Sequence, residues 1–208
     1  MSEAAFFRDE AKKETREAVE AIERVTSAEV VVVIRKMAGH YRHTDYLFGA
    51  LAALATLVAL LFLPWEFPLW SFVVDVAIAF GLGALLCGTW PTLRRLLTWP
   101  ALLRRNAAIG AKAAFVDLGI SRTSGRTGIL VFVGVFERRV EIVPDVGIDV
   151  ATLGAPWAEA VRELDAALGL SPDLPRFLAA LRKLGPILEA SYPRAADDVN
   201  ELPDEVAE

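Results

Sequence analysis

The feature that most constrains this chain is a pair of long apolar runs with almost no sequence between them. Tyr46 to Leu63 contains no charged residue, and Trp70 to Trp90 contains one ionisable residue, Asp75. A helix needs about 20 residues to cross the hydrocarbon core of a bilayer. The two runs therefore predict a transmembrane helical hairpin, with a short turn at residues 64–69.

The residues at the ends of the two runs fit this prediction. The turn holds two prolines, Pro64 and Pro68, and proline ends helices because it lacks a backbone N–H. Tyrosine and tryptophan favour the boundary between membrane and water. The aromatic residues expected there are Tyr46, Trp65, Trp70 and Trp90. The lipid bilayer is thus the first predicted partner.

Basic residues flank the outer ends of the runs and are absent from the turn. They are Arg35, Lys36 and Arg42 before the first run, and Arg94, Arg95, Arg104 and Arg105 after the second. Because Lys and Arg accumulate on the cytoplasmic side, both termini are expected in the cytoplasm. We expect an integral membrane protein, of the inner membrane if the cell is bacterial. The polar, acidic start of the sequence does not have the basic and apolar regions of a signal peptide.

Composition excludes some classes of function. The formal net charge is −5, whereas a nucleic-acid-binding domain usually carries a basic surface, so no nucleic-acid partner is expected. The single cysteine, Cys87, cannot form a disulfide within the chain or a cysteine-based metal cluster.

The rest of the sequence alternates between helix and strand patterns. Apolar residues spaced three and four apart predict a helix over residues 7–25 and another over 107–118. Two unbroken apolar runs, 30–34 and 129–135, predict strands that are covered on both faces. The alternating segment 139–142 predicts a half-exposed strand. We expect a third helix that opens at Pro156. A fourth, kinked at Pro186, is expected over residues 174–188.

These elements predict an α/β fold, with helices on both faces of a small mixed sheet. The membrane hairpin interrupts this domain. The predicted divisions are residues 1–45 for its first part, 46–90 for the hairpin, 91–192 for its second part, and 193–208 for an acidic, disordered tail.

Several segments resemble the TPM-domain family of membrane-associated proteins. They are Ser27–Ile34, Thr127–Val133, Glu137–Val143 and Asp145–Ile148, with Trp157 in the next helix. The segment 200–203 is also similar to a short ending in some bacterial relatives. The resemblance implies a three-layer α/β/α sandwich. It also implies one of several functions: phosphatase activity, the repair or assembly of membrane complexes, or the modulation of receptors. Plant thylakoid members carry a single anchor after the domain, so roles tied to their compartment are not transferred.

A candidate site follows from the predicted topology. If the first two strands are parallel and the third is antiparallel, Glu29, the loop 122–127 and Asp145 meet at one edge of the sheet. Glu29 and Asp145 could hold a divalent cation such as Mg²⁺ or Ca²⁺, with Asp145 as the catalytic residue. Arg122, Arg126 and Thr127 could bind a phosphate. The alternative, which we favour, is that these are ordinary strand-end and turn residues.

Two functions are consistent with these patterns. The first is an accessory or interaction protein at the cytoplasmic face of the membrane, which would contact another membrane protein. The second is a weak, metal-assisted phosphohydrolase of the acid phosphatase type. The sequence lacks a phosphate-binding glycine loop, a metalloprotease HExxH motif and a serine-elbow motif, which favours the first function. No cofactor is firmly predicted.

Overall fold

The computed structural model of the chain describes residues 3–169, 171–194 and 201–202. These residues form an α/β fold that is mostly helical, with one small sheet in the described part. In chain order the elements are α1 (Asp9–Glu23), β1 (Glu29–Arg35), α2 (Arg42–Phe62), α3 (Leu69–Thr89), α4 (Pro91–Leu97), α5 (Pro100–Asp117), β2 (Gly128–Gly134), β3 (Arg139–Pro144), α6 (Val150–Leu168), α7 (Leu174–Arg182) and α8 (Leu184–Glu189).

The chain forms two compact units. The α/β unit comprises Met1–Gly39 and Arg104–Glu208, and the hairpin unit comprises His40–Leu103. The sequence pattern placed the hairpin at residues 46–90. The hairpin unit is longer at both ends because α2 begins at Arg42 and α4 follows directly after α3.

The sheet has the strand order β1, β2, β3. β1 pairs with β2 in parallel and starts with Glu29 opposite Gly128. β2 pairs with β3 in antiparallel fashion, and β3 ends with Pro144 opposite Ile129. The prediction of an α/β fold with a small mixed sheet is therefore confirmed.

Helices cover both faces of this sheet, which explains why β2 and the central residues of β1, Val30–Ile34, are apolar. Successive side chains of a strand point to opposite faces, so each strand contributes side chains to two cores, one on each face of the sheet. In the larger core, α1, α6, α7 and α8 pack against a set of sheet residues: Val30, Val32, Ile34, Ile129, Val131, Val133 and Val140. The smaller core contains Val31, Val33, Leu130 and Phe132 from the sheet and Ala111 and Ala114 from α5. Full burial of an aliphatic side chain contributes about 1.5–3 kcal/mol.

Two helices after the sheet differ in detail from the sequence-based expectation. α6 begins at Val150, before Pro156, and contains a kink at Gly154, where φ is 62° and ψ is −146°. Only glycine adopts that conformation without strain, and Pro156 follows in the first turn after the kink. The predicted last helix is two helices, α7 and α8, interrupted at Lys183 rather than at Pro186. The interruption lies before Pro186 because proline has no N–H to donate to the carbonyl four residues earlier.

After α8 the chain returns to the segment that precedes β1. The carbonyl of Tyr192 accepts hydrogen bonds from the N–H of Ser27, at 3.0 Å, and from the hydroxyl of Thr26, at 2.6 Å. Pro193 forms a bridge with Thr26. The predicted disordered tail covers 193–208, of which residues 195–200 and 203–208 lie outside the described part of the chain.

In the hairpin unit, α2 and α3 pack side by side in antiparallel directions. A methyl group at Gly49 would lie 2.6 Å from the carbonyl oxygen of Phe80, and one at Gly83 would lie 2.9 Å from the methyl of Ala52. Both glycines therefore allow the helices to approach closely. A methyl group at Gly81 would meet nothing within 4 Å, so the small residue there has no such role.

A polar cluster joins the start of α2 to the segment after α3. Arg94 in α4 donates two hydrogen bonds of 2.7 Å to the carboxylate of Asp45. Their side chains are 17% and 10% exposed. The hydroxyls of Thr44 and Thr98 lie 3.1 Å apart beside them. Removing one member of such a shielded ion pair leaves a poorly solvated charge, so the pair fixes α4 against α2.

Candidate functional site

The first candidate surface is the edge of the sheet where β1 and β2 begin and β3 ends, called here the Glu29 edge. It consists of Glu29, the turn 123–127 and Asp145. Parallel pairing places Glu29 opposite Gly128, and the N–H of Asp145 donates to the carbonyl of Gly128 at 2.8 Å. Strand register thus brings together residues that are about a hundred positions apart in the sequence.

The turn before β2 is held by its own hydroxyl groups. The hydroxyl of Thr123 accepts a hydrogen bond from the N–H of Thr127 at 3.1 Å. The hydroxyl of Thr127 donates to the carbonyl of Ser27 at 3.1 Å, which ties the turn to the start of β1. Ser124 and Gly125 are exposed at the tip of this turn.

The carboxylate of Asp145 accepts hydrogen bonds from two neighbouring residues. It accepts two hydrogen bonds from the guanidinium of Arg126, at 2.7 and 3.0 Å, and one from the N–H of Val146 at 2.8 Å. The Asp145 side chain is 3% exposed, whereas that of Arg126 is 50% exposed. Arg126 has φ of 54°, a left-handed conformation that costs energy in a residue with a side chain. The ion pair helps to hold Arg126 in that conformation.

A glycine permits the close contact between the Asp145 turn and the turn before β2. The N–H of Gly147 donates to the carbonyl of Arg126 at 2.9 Å. A side chain at Gly147 would overlap the backbone carbonyls of Gly125 and Arg126. The two turns therefore pack backbone against backbone.

The ionisation of Asp145 follows from this environment. The Arg126 guanidinium holds the pKa of Asp145 below its usual value, burial acts in the opposite direction, and the Val146 N–H lowers the pKa further. In turn, Asp145 raises the pKa of Arg126. Asp145 is therefore a charged group whose charge is already balanced, which suits a structural role better than proton transfer.

Next to this ion pair is a recess of about 210 Å³, called here the serine recess. Its lining residues are Ser27, Glu29, Thr123, Ser124, Gly125, Thr127 and Glu201. The carboxylate of Glu201 accepts hydrogen bonds from the N–H of Ser124, at 2.7 Å, and from its hydroxyl, at 2.5 Å. The N–H of Glu201 donates to the carboxylate of Glu29 at 3.3 Å. The recess therefore binds a carboxylate through uncharged donors.

The structure places the proposed phosphate-binding residues in three different settings. Thr127 lines the serine recess, Arg126 pairs with Asp145, and Arg122 is an exposed residue that does not line the recess. Ser124 and Glu201, which make the closest polar contacts in the recess, were not among the site residues predicted from sequence. The only sequence signal for Glu201 was the short ending at 200–203.

The predicted cation site at Glu29 and Asp145 involves two carboxylates that contact other groups, Glu201 and Arg126 respectively. Within residues 3–169, 171–194 and 201–202, no three His, Cys, Asp or Glu side chains cluster in a way that would hold a metal ion. Two carboxylates could supply only part of the six to eight oxygen ligands that Ca²⁺ takes.

The second candidate surface is the outside of α2 and α3. Each helix has 21 residues and is long and apolar enough to cross a membrane. At 1.5 Å per residue, each is about 31 Å long, close to the thickness of a hydrocarbon core. In the most apolar stretch, 22% of the α2 residues and 11% of the α3 residues are buried. The exposed apolar side chains include Leu47, Leu51, Leu54, Val58, Leu61, Val73, Ile78, Leu82 and Leu85.

The four predicted interfacial aromatic residues lie towards the two ends of this surface. Trp65 is in the turn, and Trp70 is in the first turn of α3. Tyr46 is in the second turn of α2, and Trp90 directly follows α3. All four are between 55% and 68% exposed.

The Asp145 ion pair makes the stability of the chain depend on pH. A carboxyl group whose pKa is lowered by folding stabilises the fold above its unfolded pKa, about 3.9 for aspartate, and loses that contribution as the pH falls. Asp145→Asn should therefore lower the thermal midpoint by a few degrees at pH 7, and the difference should shrink towards pH 3. Circular dichroism of the full chain in detergent measures this.

Asp117→Asn, at an exposed carboxylate in α5, is the matched control and should show little difference at either pH. An Asp145→Asn variant as stable as wild type at pH 7 would show that the ion pair contributes nothing to the fold.

Comparison with known proteins gives one similarity of fold. No family model matches the chain, and no curated protein sequence matches it. It is similar to the NMR structure of the BA42 protein from the psychrophilic bacterium Bizionia argentinensis, with a TM-score of 0.57. The sequence identity is 16%, and the match covers 96% of this chain and 93% of the BA42 chain. At that identity, what the two proteins share is the α/β fold.

Proposed function

We propose that this protein is a TPM-like domain anchored in a membrane, acting as an accessory or interaction protein at the cytoplasmic face. In this proposal the α/β unit is a three-layer α/β/α sandwich, and the hairpin unit inserted within it spans the inner membrane of a bacterium. The partner is another membrane protein.

The observation that carries the proposal is the outward-facing apolar surface of α2 and α3. A core helix of a water-soluble protein buries most of its apolar residues, whereas only 22% and 11% of these stretches are buried. Transfer of such a surface from water to lipid is strongly favourable. The exposed aromatic residues at both ends of the hairpin support the same environment.

The resemblance to the TPM-domain family supports the proposal that the α/β unit is a TPM-like domain. Its most specific portion, residues 127–148, contains β2, β3 and the Asp145 turn. The fold shared with BA42 is compatible with that assignment. The accessory role is favoured over catalysis because the carboxylate of Asp145, the predicted catalytic residue, is already paired with Arg126.

Orientation can be tested with cysteines and a maleimide that does not cross membranes. Glu66→Cys, in the exposed turn, should be labelled from outside in spheroplasts. Glu159→Cys, on the exposed side of α6, should be labelled only after the cells are permeabilised. The native Cys87 is buried and provides the background level. If only Glu159→Cys is labelled from outside, the orientation is the opposite of the proposed one. Equal protection of both sites would contradict a hairpin that spans the membrane.

The interaction role predicts a specific partner in native membranes. Chemical crosslinking of the tagged full-length chain, followed by purification under denaturing conditions, should yield a discrete larger species that contains a second polypeptide. Co-expression of untagged chain should reduce that species by competition. A crosslinking pattern without any competed species would count against the interaction role.

The phosphohydrolase remains the alternative, supported by the anion-binding donors of Ser124 in the serine recess. It predicts phosphate release from a generic phosphomonoester by detergent-purified protein, dependent on Mg²⁺, Ca²⁺ or Mn²⁺ and removed by chelator. Asp145→Asn and Arg126→Ala both break the same ion pair. If Asp145 is catalytic and Arg126 binds the phosphate, Asp145→Asn should lower kcat by about 100-fold more than Arg126→Ala does, whereas Arg126→Ala should mainly raise KM.

An equal loss of kcat in the two variants would assign Asp145 a structural role. Activity that is absent or independent of metal in the wild type would remove the hydrolase alternative.

A further inference from the structure

The Ser124 donors in the wall of the serine recess are bound by Glu201, which belongs to no helix or strand. Glu201 contacts residues that are 77 and 172 positions away in the sequence. These contacts resemble those of a peptide bound to a domain more than those of one regular element packed against another.

Glu201 is recognised through three hydrogen bonds. Each oxygen of its carboxylate has its own donor on Ser124, one from the backbone N–H and one from the hydroxyl. The backbone N–H of Glu201 is bound to the carboxylate of Glu29. The Ser124 hydroxyl could also accept from the amide of a glutamine, but hydrogen bonds to a charged carboxylate are about twice as strong as those to a neutral amide, so the arrangement favours a carboxylate.

The ionisation of Glu201 agrees with this geometry. The hydroxyl and the N–H of Ser124 hold the pKa of the Glu201 carboxyl below its usual value, and desolvation acts in the opposite direction. The bound side chain is therefore charged at neutral pH, as the donor groups require.

Leu202 adds an apolar anchor directly after the polar one. Its side chain packs against the smaller core of the sheet, where Phe115 and Val143 also pack. A charged group and an aliphatic group in consecutive positions, bound by a hydroxyl-rich turn and an apolar surface, constitute a short recognition sequence.

We infer that the serine recess and the adjoining surface of the smaller core form a peptide-recognition site for a glutamate followed by a leucine, and that a partner protein binds there by replacing Glu201 and Leu202. This inference rests on the proposed interaction role and specifies its surface. The donors for the carboxylate are uncharged and lie on an exposed turn, so exchange of one carboxylate for another leaves no buried charge without a partner.

Intramolecular occupation of the recess sets the conditions for exchange. Arg194, whose N–H is bonded to the carbonyl of Val25, fixes the chain seven residues before Glu201. Because Glu201 and Ser124 belong to the same polypeptide, the effective concentration of the bound segment is higher than that of a separate peptide in dilute solution. A separate peptide must compete with that concentration, so its apparent affinity for the wild-type chain is low.

The test uses a fluorescein-labelled peptide with the sequence of residues 198–205 and fluorescence anisotropy at pH 7. The receptor is the full-length chain in detergent, as wild type and as the Glu201→Ala/Leu202→Ala variant, called here the emptied chain because its Ser124 donors are no longer bound by Glu201. The peptide should bind the variant at least tenfold more tightly than the wild type. Glu201→Gln alone, which is nearly isosteric, should show an intermediate gain and serves if the double variant fails to fold.

Two matched changes test the recognition itself. Peptides in which the glutamate is glutamine, or the leucine is alanine, should each bind at least tenfold more weakly. Ser124→Ala in the emptied chain should weaken binding by about tenfold or more, because it removes one donor to a charged group. Glu159→Ala, at an exposed carboxylate of α6, should leave binding unchanged.

The inference is overturned by any of three results: no binding to either emptied variant, equal binding to wild type and variants, or equal binding of the glutamate and glutamine peptides. These results are separate from the crosslinking test. If a partner is crosslinked but no peptide binds, the interaction role stands and the partner binds at another surface. If the peptide binds but no partner is crosslinked, the recognition site stands and the proposal of a partner in the native membrane fails.

Discussion

The rest of the structure depends on the parallel pairing of two strands that are apolar on both faces. Parallel neighbours cannot be joined by a tight turn, so a long crossover must connect them. In this chain the crossover between β1 and β2 contains the whole hairpin unit as well as α5. The two faces of β1 and β2 then require two sets of covering helices. Every helix of the α/β unit described above serves one of these two faces.

The same pairing determines the chemistry of the Glu29 edge. It places Asp145 close to a hydroxyl-rich turn that also contacts a second carboxylate, Glu201, in a different electrostatic setting. Asp145 is neutralised by a guanidinium, so its removal leaves an uncompensated cation. Glu201 is held by an N–H and a hydroxyl, which water can satisfy equally well. The first contact is part of the architecture, whereas the second is suited to exchange.

Sequence patterns predicted the strands well because burial on both faces produces continuous apolar runs. β1 and β2 differ from the predicted segments by one residue at each end, and the mixed topology is confirmed. The kink within α6 and the interruption between α7 and α8 were not predicted from the sequence. The kink at Gly154 and the interruption at Lys183 depend on local backbone geometry that apolar periodicity does not encode.

The contacts at the site were harder still to foresee. Strand order could predict that Glu29, Thr127 and Asp145 share an edge, since that follows from register alone. It could not predict that Arg126 would turn back onto Asp145, because that requires a left-handed backbone at Arg126. Nor could it predict that Glu201 would reach Ser124, because no periodic pattern links an irregular segment to a turn 77 residues away.

The division of the α/β unit into two chain segments has a consequence for the order of events during synthesis. β1 is complete about a hundred residues before its partner β2. At about 5–20 residues per second, the ribosome would need on the order of 5–20 s to supply the missing strand. The hairpin unit emerges within that interval, so it would be complete before β2. The apolar central residues of β1 would meanwhile lack their neighbouring strand, and the nascent chain would be most vulnerable to aggregation in that interval.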